Sequence, residues 1–259
     1  MKQLICLLII IPLFSCYNQY KHGEFVHLDN GFSYRYLKIK NPEYAVKESF
    51  SLFYIKIDPK KYRINLLTAK DLNTDSLYIR EYCKLSNALL SINASFFYSK
   101  GPLGLQINNG KIISNLLRTK NGDLVDGGVF YIANHVPMII HTKKFVYDTN
   151  ISLAIQSRPR LVHLGKVLPR LKNQIARRSF IGITRDNYIV IGVTEDGEAY
   201  ADDIGKILSM EESLGGVGCE YALNLDGGSS TQFYLNYKDF QKEIKGNQQV
   251  PNALAVFKK

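Results

Sequence analysis

Four short segments of the chain combine glycine, amide, hydroxyl, carboxylate and guanidinium groups that a structural core does not need. They read N-A-S-F-F (93–97), Q-S-R-P-R-L-V (156–162), R-R-S-F-I-G (177–182) and N-L-D-G-G-S-S-T (224–231). In the fourth, Asp226 follows an apolar strand and precedes two glycines and three hydroxyl residues. Glycines let the backbone approach a ligand closely, and functional side chains concentrate on such loops. This segment therefore predicts a substrate-facing loop built around a carboxylate.

Each segment also has a purely structural interpretation. Asn93 could form an Asx turn, the arginines could be a solvated surface, and the Gly-Gly-Ser-Ser run could be a hairpin connection. A phosphate-cradling loop is a further alternative for 224–231, but this segment contains no lysine and the chain has no G-x-x-x-x-G-K frame. The five histidines lack the spacing of metal ligands. We therefore expect no metal and no cofactor.

The elements that must position these segments are mostly strands. Apolar residues at helical spacing predict helices over about 74–89 and 202–214. We predict an α+β fold in a single domain, with a mixed, mostly antiparallel sheet and two or three helices. Alternating apolar residues predict a strand pair over 51–67, and apolar stretches between turn signals predict strands over 88–92, 180–184, 188–193, 221–225, 232–235 and 253–257.

The N-terminus has the pattern of an export signal. Lys2 precedes an apolar run over residues 4–14, which is too short to span a bilayer. The run closes with Leu-Phe-Ser-Cys, which resembles a lipobox, so we expect cleavage before Cys16 and acylation of Cys16. An ordinary signal peptide is the alternative. The predicted parts are a lipoprotein signal peptide (1–15), a tether (16–24) and one domain (25–259).

Location and charge together narrow the class of partner. A lipid on Cys16 would place the domain outside the cytoplasm, periplasmic or at the cell surface, with the N-terminal lipid as its only membrane contact. Lys and Arg number 33 against 23 Asp and Glu, a net charge of +10 that becomes about +9 when Lys2 is removed with the signal. Such an excess favours an anionic partner. Export argues against nucleic acid and favours an acidic or phosphorylated glycan.

Two of the four cysteines lie within the predicted domain. Cys83 and Cys219 remain once the N-terminal cysteines are assigned to the signal and the lipid. In an oxidising compartment this even pair could form a disulfide. Two buried thiols are the alternative, because the sequence does not give the distance between them.

In their order along the chain, the four segments resemble the recurring motifs of the phosphodiester glycosidase family. Those motifs are similar to N-G-G-[FY]-F, Q-[ST]-x-P-x-L-V, R-[TS]-x-I-G and N-L-D-G-G-[GS]-S-[ST], and their counterparts here span residues 93–231. Two departures from the motifs occur. Ala94-Ser95 replaces the usual Gly-Gly, and Ser229 stands where a third glycine is common.

The resemblance implies hydrolysis of a sugar-1-phosphodiester, of the N-acetylglucosamine type, at the anomeric C–O bond. A glycosyl phosphate is a good leaving group, so stabilisation of charge matters more than acid assistance. Asp226 would act on the anomeric carbon or activate water, and Arg178, with a second arginine, would hold the phosphate. Asn93 would bind sugar hydroxyls or orient that carboxylate. The remaining substrate-binding candidates are Asn224, Gly227, Gly228, Ser229, Ser230, Gln156, Arg158 and Arg160.

Other functions remain open at this point. Glycosidases usually employ two carboxylates, and the candidates for the second are Glu195, Asp196, Asp202 and Asp203, so retention and inversion are both open. A non-catalytic phosphoglycan-binding lipoprotein on the same scaffold is the main alternative, and Ala94-Ser95 favours it. A phosphodiesterase that cuts the P–O bond is a third hypothesis.

Overall fold

The structure is a computed structural model that describes residues 23–40, 49–98, 101–118, 127–169 and 174–259. The predicted signal peptide, the lipidation site Cys16 and the tether as far as residue 22 lie outside the described residues. The N-terminal expectations therefore stay predictions. Within the described ranges, no helix is long and apolar enough to cross a membrane.

Strands dominate the part of the chain that is described. The two α-helices are α1 (Ile79–Ser86) and α2 (Ala201–Ser209). Short 3₁₀ turns occur at Lys70–Leu72, Thr142–Lys144, Glu212–Leu214 and Gly228–Ser230. The strands are β1 (Phe25–Asp29), β2 (Phe32–Lys40), β3 (Ser49–Ile57), β4 (Tyr62–Thr68), β5 (Leu90–Asn93), β6 (Phe97–Tyr98), β7 (Gly101–Pro102), β8 (Gln106–Asn108), β9 (Lys111–Ser114), β10 (Gly128–Ala133), β11 (Val136–His141), β12 (Ile151–Ser157), β13 (Arg160–His163), β14 (Lys166–Val167), β15 (Ser179–Thr184), β16 (Ile189–Thr194), β17 (Cys219–Asn224), β18 (Phe233–Tyr237), β19 (Phe240–Ile244) and β20 (Asn252–Lys258).

These strands form three larger sheets and one two-stranded ribbon. The eight-stranded sheet has the order β1-β2-β3-β16-β15-β17-β13-β14, and the two five-stranded sheets have the orders β11-β10-β12-β8-β9 and β19-β18-β5-β20-β4. Every pairing between named strands is antiparallel. The prediction of a mostly antiparallel sheet is confirmed, but the α+β class is corrected to a predominantly β fold.

The helices are shorter than predicted, for local reasons. Leu77 pairs with Val250 in an isolated β-bridge, so α1 cannot begin near residue 74. It ends at Asn87, which adopts left-handed backbone with φ of 56°. Helix α2 ends at Met210, whose extended backbone (ψ of 141°) separates it from the 3₁₀ turn that follows. Tertiary pairing and single cap residues therefore override the apolar periodicity at the helix ends.

The three larger sheets pack their apolar faces into one central cluster. Phe53 and Ile191 enter it from the eight-stranded sheet, Phe130 and Ile155 from the second sheet, and Leu254 from the third. Strands β15 and β16 are buried at every position. Their second face contributes Phe180 and Val190 to a second apolar cluster, which also contains residues of α2, and burial on both faces explains why both strands read as continuous apolar runs.

The two cysteines of the domain are free, and the disulfide considered between them is wrong. Cys83 lies on α1 in a cluster against the third sheet, whereas Cys219 opens β17 in the cluster under α2. The two thiols thus lie in two different apolar clusters. Burial raises the pKa of Cys83 to about 11 and also raises the pKa of Cys219, so both remain protonated at neutral pH.

The chemistry-bearing segments meet where central strands begin or end. Asn93 is the last residue of β5, Asn224 is the last residue of β17, and Arg178 directly precedes β15. Arg158 lies in the connection from β12 to β13 and is joined to Pro159 by a cis peptide bond. The backbone N–H of Asn224 donates to the Pro159 carbonyl at 2.9 Å. Antiparallel pairing thus gathers distant segments at one edge of the core.

Candidate active site

Residues 226–231, here called the glycine loop, are held by backbone hydrogen bonds from two directions. The Asp226 N–H donates to the Ala94 carbonyl at 3.1 Å, and the Gly228 N–H donates to the Arg177 carbonyl at 2.8 Å. A Cβ on Gly227 would lie 2.8 Å from that same Arg177 oxygen, and Gly228 has a φ of +63°. Both positions therefore favour glycine. The loop places Asp226 between the first and third chemistry-bearing segments.

A cavity of about 300 Å³, here called the main cavity, lies beside the glycine loop. Six residues predicted from sequence contribute to its walls: Arg158, Arg178, Asn224, Asp226, Gly227 and Gly228. Sequence reasoning did not assign the other wall residues to the site: Phe96, Pro159, Gln174, Ala176 and Ala201. Phe96 and Pro159 belong to segments that were singled out. The other three shape the wall and have no pattern that could have identified them.

The Asp226 carboxyl group is largely withdrawn from water but keeps polar partners. Its Oδ1 accepts a 3.0 Å hydrogen bond from the Gly227 N–H. Burial raises the pKa of Asp226, and hydrogen bonds from the Ser230 hydroxyl and the Gly227 N–H oppose that rise. A carboxyl group with this environment at a cavity wall is suited to proton transfer or to attack on an electrophilic carbon.

Arg178 is fixed at both its backbone and its side chain. Its N–H donates to Thr194 Oγ1 at 2.8 Å, its Nε donates to the Ala199 carbonyl at 3.0 Å, and Nη2 donates to the Gln174 carbonyl. The residue is 8% exposed. Burial lowers the pKa of the guanidinium, while the nearby Glu198 carboxylate raises it. Arg178 therefore offers a pre-oriented, poorly solvated positive charge to the cavity.

Arg158 contributes a second positive charge from a much more open position. Its side chain is exposed, and its guanidinium carbon lies 5.9 Å from the centroid of the Phe96 ring. This distance is within the range of cation–π contacts. The arginine is therefore close to an aromatic wall residue but remains in contact with solvent.

The side-chain amide of Asn224 uses its nitrogen in hydrogen bonds but not its oxygen. Nδ2 donates to the Arg158 carbonyl at 3.0 Å and to the Leu225 carbonyl at 2.5 Å. Those two acceptors fix the orientation of the amide. Oδ1 is buried and has no hydrogen-bond partner among the residues described. An unpaired buried acceptor in the wall of a cavity is suited to a ligand hydroxyl.

The comparisons with known proteins agree with this arrangement. The family model described as phosphodiester glycosidase matches residues 86–257, more than half of the chain. The chain belongs to the phosphodiester glycosidase family. The catalytic domain of zebrafish N-acetylglucosamine-1-phosphodiester alpha-N-acetylglucosaminidase, auto-inhibited by its pro-peptide, is similar in structure. It has a TM-score of 0.66 and 12% identity over 89% of this chain and 85% of that chain.

Two further similar proteins have no stated activity. A hypothetical protein from Synechocystis has a TM-score of 0.59 and 15% identity, over 88% of this chain and 62% of that chain. The uncharacterized protein YigE of Escherichia coli (strain K12) is 31% identical over 110 residues, which are 40% of this chain and 43% of that relative. The match thus spans less than half of YigE, and the structural similarities establish the fold alone.

Asn93, which was predicted to be catalytic, lies behind the walls of the main cavity. Its Nδ2 donates to the Asp226 carbonyl at 2.7 Å. Its Oδ1 accepts from Ser179 Oγ at 2.8 Å and from the Gln232 N–H at 3.1 Å. With both ends of the amide used, Asn93 is a positioning residue for the loop that carries Asp226. Of the two roles considered for it, orientation is supported and sugar binding is not.

Gln156 and Arg160 are also structural in this family member. Gln156 Oε1 accepts from the Leu105 and Leu117 N–H groups, at 3.0 and 2.9 Å, and its Nε2 donates to the Leu117 carbonyl at 2.8 Å. The stem of Arg160 packs over Gly128, where a Cβ would lie 2.6 Å from Arg160 Cγ. Neither residue contributes to the main cavity walls, so their predicted substrate contacts stay predictions.

Ser229 and Ser230 form hydrogen bonds that hold the glycine loop in place. The Ser230 hydroxyl accepts from Gln248 Nε2 at 2.7 Å and also bonds the Asp226 carboxyl group. The Ser229 carbonyl accepts from the Asn247 N–H at 2.8 Å. Both serines were predicted to bind substrate, but neither is a wall residue of the main cavity. The Ser230 hydroxyl orients Asp226, and the Ser229 carbonyl ties the loop to Asn247.

The departure from the family motif at Ala94-Ser95 does not fill the main cavity. Ala94 and Ser95 are 1% and 2% exposed. The Ser95 hydroxyl accepts from Gln106 Nε2 at 2.6 Å, and its N–H donates to Asn252 Oδ1 at 3.1 Å. The Ser95 side chain therefore bonds Gln106 of β8, and its backbone bonds Asn252 of β20, so Ser95 is not a wall residue of the main cavity. The replacement of Gly-Gly by Ala94-Ser95 therefore gives no structural support for a binding-only protein.

None of the four candidates for a second carboxylate is a wall residue of the main cavity. Glu195 is ion-paired with Lys242, Asp196 accepts from the Tyr36 hydroxyl at 3.4 Å, and Asp202 and Asp203 lie in the first turn of α2. Sequence reasoning missed Glu198, whose charge acts on Arg178. Among the described residues, no group of three or more His, Cys, Asp or Glu side chains could hold a metal.

Proposed function

We propose that this protein is a hydrolase that cleaves the glycosidic C–O bond of a sugar-1-phosphodiester, with a sugar of the N-acetylglucosamine type. The observation that carries the proposal is that a half-buried carboxyl group, Asp226, and a buried guanidinium, Arg178, contribute to the walls of one cavity. Membership of the phosphodiester glycosidase family supports the reaction class. The similar zebrafish domain is an N-acetylglucosamine-1-phosphodiester alpha-N-acetylglucosaminidase, which supports the choice of sugar.

In the proposed reaction the bond between C1 of the sugar and the bridging oxygen breaks. The electron pair leaves with that oxygen, and the phosphate becomes a monoester whose developing charge Arg178 stabilises, while Arg158 helps to bind the phosphate. Asp226 either attacks C1 or removes a proton from the water that does so; in both cases water finally supplies the hydroxyl on C1. The unpaired Oδ1 of Asn224 accepts a hydrogen bond from a sugar hydroxyl.

We also propose that the substrate is an extracytoplasmic phosphoglycan. The net charge of +10 would raise the local concentration of a polyanion near the cavity. The N-terminal pattern supports a lipid on Cys16, with the domain tethered outside the cytoplasm. Radiolabelled fatty acid should be incorporated by the wild-type chain in bacterial cells, whereas Cys16→Ala should abolish the labelling.

The test of the reaction uses a synthetic N-acetylglucosamine-1-phospho-methyl ester. The wild-type protein should release free N-acetylglucosamine and methyl phosphate, and Asp226→Asn should lower kcat about 10²- to 10⁴-fold because it cannot act as base or nucleophile. Asp75→Asn is the matched control, since Asp75 is exposed and outside the walls of the main cavity. Its turnover should equal that of the wild type.

The same assay in ¹⁸O-labelled water identifies the bond that breaks. Label in the sugar supports C–O cleavage, and label in the phosphate would instead assign the protein as a phosphodiesterase. Binding of a phosphoglycan without any turnover would overturn the enzymatic proposal and support the binding-only alternative.

A further inference from the structure

Gln248 contacts the glycine loop although it lies outside the four chemistry-bearing segments, in the connection between β19 and β20. Its Nε2 donates to Ser230 Oγ at 2.7 Å, and Ser230 in turn bonds the Asp226 carboxyl group. A serine hydroxyl has one proton to donate and can also accept. Because Ser230 accepts from the Gln248 amide, its own proton is available to the Asp226 carboxylate.

The backbone around Gln248 is fixed, although the residue itself is exposed. The Gln248 carbonyl accepts from Gln232 Nε2 at 2.7 Å. The N–H of the preceding residue, Asn247, donates to the Ser229 carbonyl at 2.8 Å. These two bonds join the connection to both ends of the segment 229–232. They therefore place the Gln248 amide beside the Ser230 hydroxyl.

Gln232 is a rigid support for this arrangement. It is 2% exposed, and its N–H donates to Asn93 Oδ1 at 3.1 Å. Its Oε1 accepts from the Ile79 N–H at 3.0 Å, so both ends of its side-chain amide are bonded. A Cβ on Gly246 would lie 2.5 Å from Gln232 Cγ, which shows that the connection packs directly against this side chain.

Charged groups also surround Asp226. Arg158 and Arg178 share the walls of the main cavity with it. Arg177 adjoins Arg178 in the chain, and the Glu198 carboxylate acts on both of these arginines. All of these side chains are the same in the variants described below. A change in the titration of Asp226 between those variants therefore reports its hydrogen bonds.

The two hydrogen bonds to the Asp226 carboxyl group differ in what fixes their direction. The Gly227 N–H and the Ser230 hydroxyl both favour the ionised carboxylate, whereas burial opposes it. The backbone sets the direction of the N–H. A hydroxyl rotates to suit its partners, so its direction depends on the donor it accepts from. That donor is Gln248.

We infer that Gln248 is a positioning residue of the active site, whose amide holds the Ser230 hydroxyl as a donor to the Asp226 carboxylate. The consequence for turnover rests on the proposed function, in which Asp226 acts as nucleophile or base and must be ionised. Gln248 is not a wall residue of the main cavity. A side chain outside the cavity should therefore set the pH at which turnover begins on the acidic side.

The experiment measures the pH profile of kcat for the full-length protein in detergent, with the N-acetylglucosamine-1-phospho-methyl ester. Gln248→Met keeps the length of the side chain but removes the donor. Loss of a donor raises the pKa of Asp226, so the acidic limb of the profile should move up by about one pH unit. Below the limb kcat should fall about tenfold, and at higher pH it should equal the wild-type value, with KM nearly unchanged.

The matched control is Gln249→Met, which changes the neighbouring exposed glutamine. Gln249 Oε1 accepts from the Ser76 hydroxyl at 3.0 Å, and the residue is outside the walls of the main cavity. This variant should keep the wild-type pH profile. Thermal unfolding of each variant confirms that it is folded.

A double substitution tests whether Gln248 acts through Ser230. Ser230→Ala removes the hydroxyl itself, so it should move the acidic limb up at least as far as Gln248→Met does. In the Ser230→Ala background, Gln248→Met should cause no further shift, because the group it positions is already gone. Two independent shifts that add would overturn the inference.

The remaining outcomes separate this inference from the proposed function. A Gln248→Met variant with lower kcat at every pH and an unmoved limb would show a merely structural role and overturn the inference. A limb that moves to lower pH would also overturn it, since the amide would then compete with Asp226 for the Ser230 proton.

If the ester is not hydrolysed, ¹³C NMR of protein labelled at the aspartate carboxyl carbons follows the titration of Asp226 directly. Its signal is identified by its loss in Asp226→Asn. A higher titration midpoint in Gln248→Met than in the wild type would support the inference without any turnover. An equal or lower midpoint would overturn it.

Discussion

The main cavity has two walls that carry arginine, and the fold holds them in different ways. The fixed wall consists of Gln174, Ala176, Arg178 and Ala201, and the exposed wall consists of Phe96, Arg158 and Pro159. Arg178 is 8% exposed and donates to two backbone carbonyls. The Arg158 side chain is exposed, with the Phe96 ring at 5.9 Å.

This difference indicates how two arginines in one cavity can have different roles. A buried guanidinium held by backbone carbonyls does not need to reorganise when charge develops on a leaving phosphate, so it can stabilise the transition state selectively. An exposed guanidinium is screened by water and salt, so it contributes mainly to capturing an anion. We therefore expect the fixed wall to govern kcat and the exposed wall to govern KM.

The largest effect should come from Arg178→Lys, which tests the fixed wall directly. Lysine cannot donate to Ala199 and Gln174 while also presenting a planar fork to phosphate. The loss of transition-state stabilisation should be about 2–4 kcal/mol, a fall in kcat of roughly 30- to 1,000-fold. Steady-state kinetics on the phospho-methyl ester measures it, with Arg63→Lys as the control. Activity within a few-fold of the wild type would remove Arg178 from the site.

Gly227→Ala should disturb the same wall from the glycine loop. The new Cβ would meet the Arg177 carbonyl oxygen at 2.8 Å, so either that backbone or the loop must move. Displacement of Asp226 relative to Arg178 by about 1 Å can cost on the order of 10²-fold in kcat. We expect a fall of that size together with a lower Tm. Wild-type kcat at a lower Tm would show that the loop and the fixed wall are not coupled.

A smaller effect is expected for Arg158→Ala on the exposed wall. Removal of an exposed charge costs at most about 1 kcal/mol, so kcat/KM should fall no more than about fivefold, through KM. Raising the salt concentration should shrink the difference from the wild type. If this variant instead loses kcat as severely as Arg178→Lys, the distinction between the two walls is wrong.

The smallest expected effect is on stability and concerns the carboxyl group between the walls. Burial raises the pKa of Asp226 above the ordinary value of 3.8, so the folded state holds this proton more tightly than the unfolded state does. Its contribution to stability is fully present below pH 3.8 and is lost as the pH rises through the raised pKa. Asp226→Asn should therefore have a higher Tm than the wild type at pH 7, and the difference should vanish below pH 3.8.

Calorimetry from pH 3 to pH 7.5 measures this dependence, with Asp75→Asn as the control. A lower Tm for Asp226→Asn at neutral pH would mean that the ionised carboxylate stabilises the fold. In that case the hydrogen bonds from Gly227 and Ser230 would outweigh the cost of burial.

The sequence identified the correct segments of the site but not the direction of every side chain. Asp226 and its glycines could be predicted because a carboxylate beside flexible backbone is a local signal. The roles of Asn93, which could bind sugar or orient the carboxylate, and of Gln156, which was predicted to bind substrate, were harder to predict because an amide bonds sugars and backbone equally well. Their actual partners are far along the chain: Asn93 bonds the carbonyl of a residue 133 positions away. Only the sheet pairings decide which partner an amide meets.

A similar limit applies to the fold. The strands were predictable because short apolar runs between turn signals are typical of strands, as in β20, whose observed bounds Asn252–Lys258 contain the predicted 253–257. The helix ends could not be predicted. Helix α1, for example, begins later than expected because Leu77 forms a β-bridge with Val250, which is distant in sequence. Whether Cys83 and Cys219 are bonded could not be predicted either, because an even number of cysteines does not give the distance between them.

The position of β20 has a consequence for the timing of assembly. This last strand lies between β5 and β4, and Asn252 at its start receives the backbone N–H groups of Ala94 and Ser95. The strand that ends in Asn93 therefore lacks one neighbour until residues 252–258 have been synthesised. A nascent chain that stalls before this point cannot complete the segment behind Asp226. The order of the strands along the chain thus makes the cavity wall that carries Asp226 one of the last parts of the molecule to assemble.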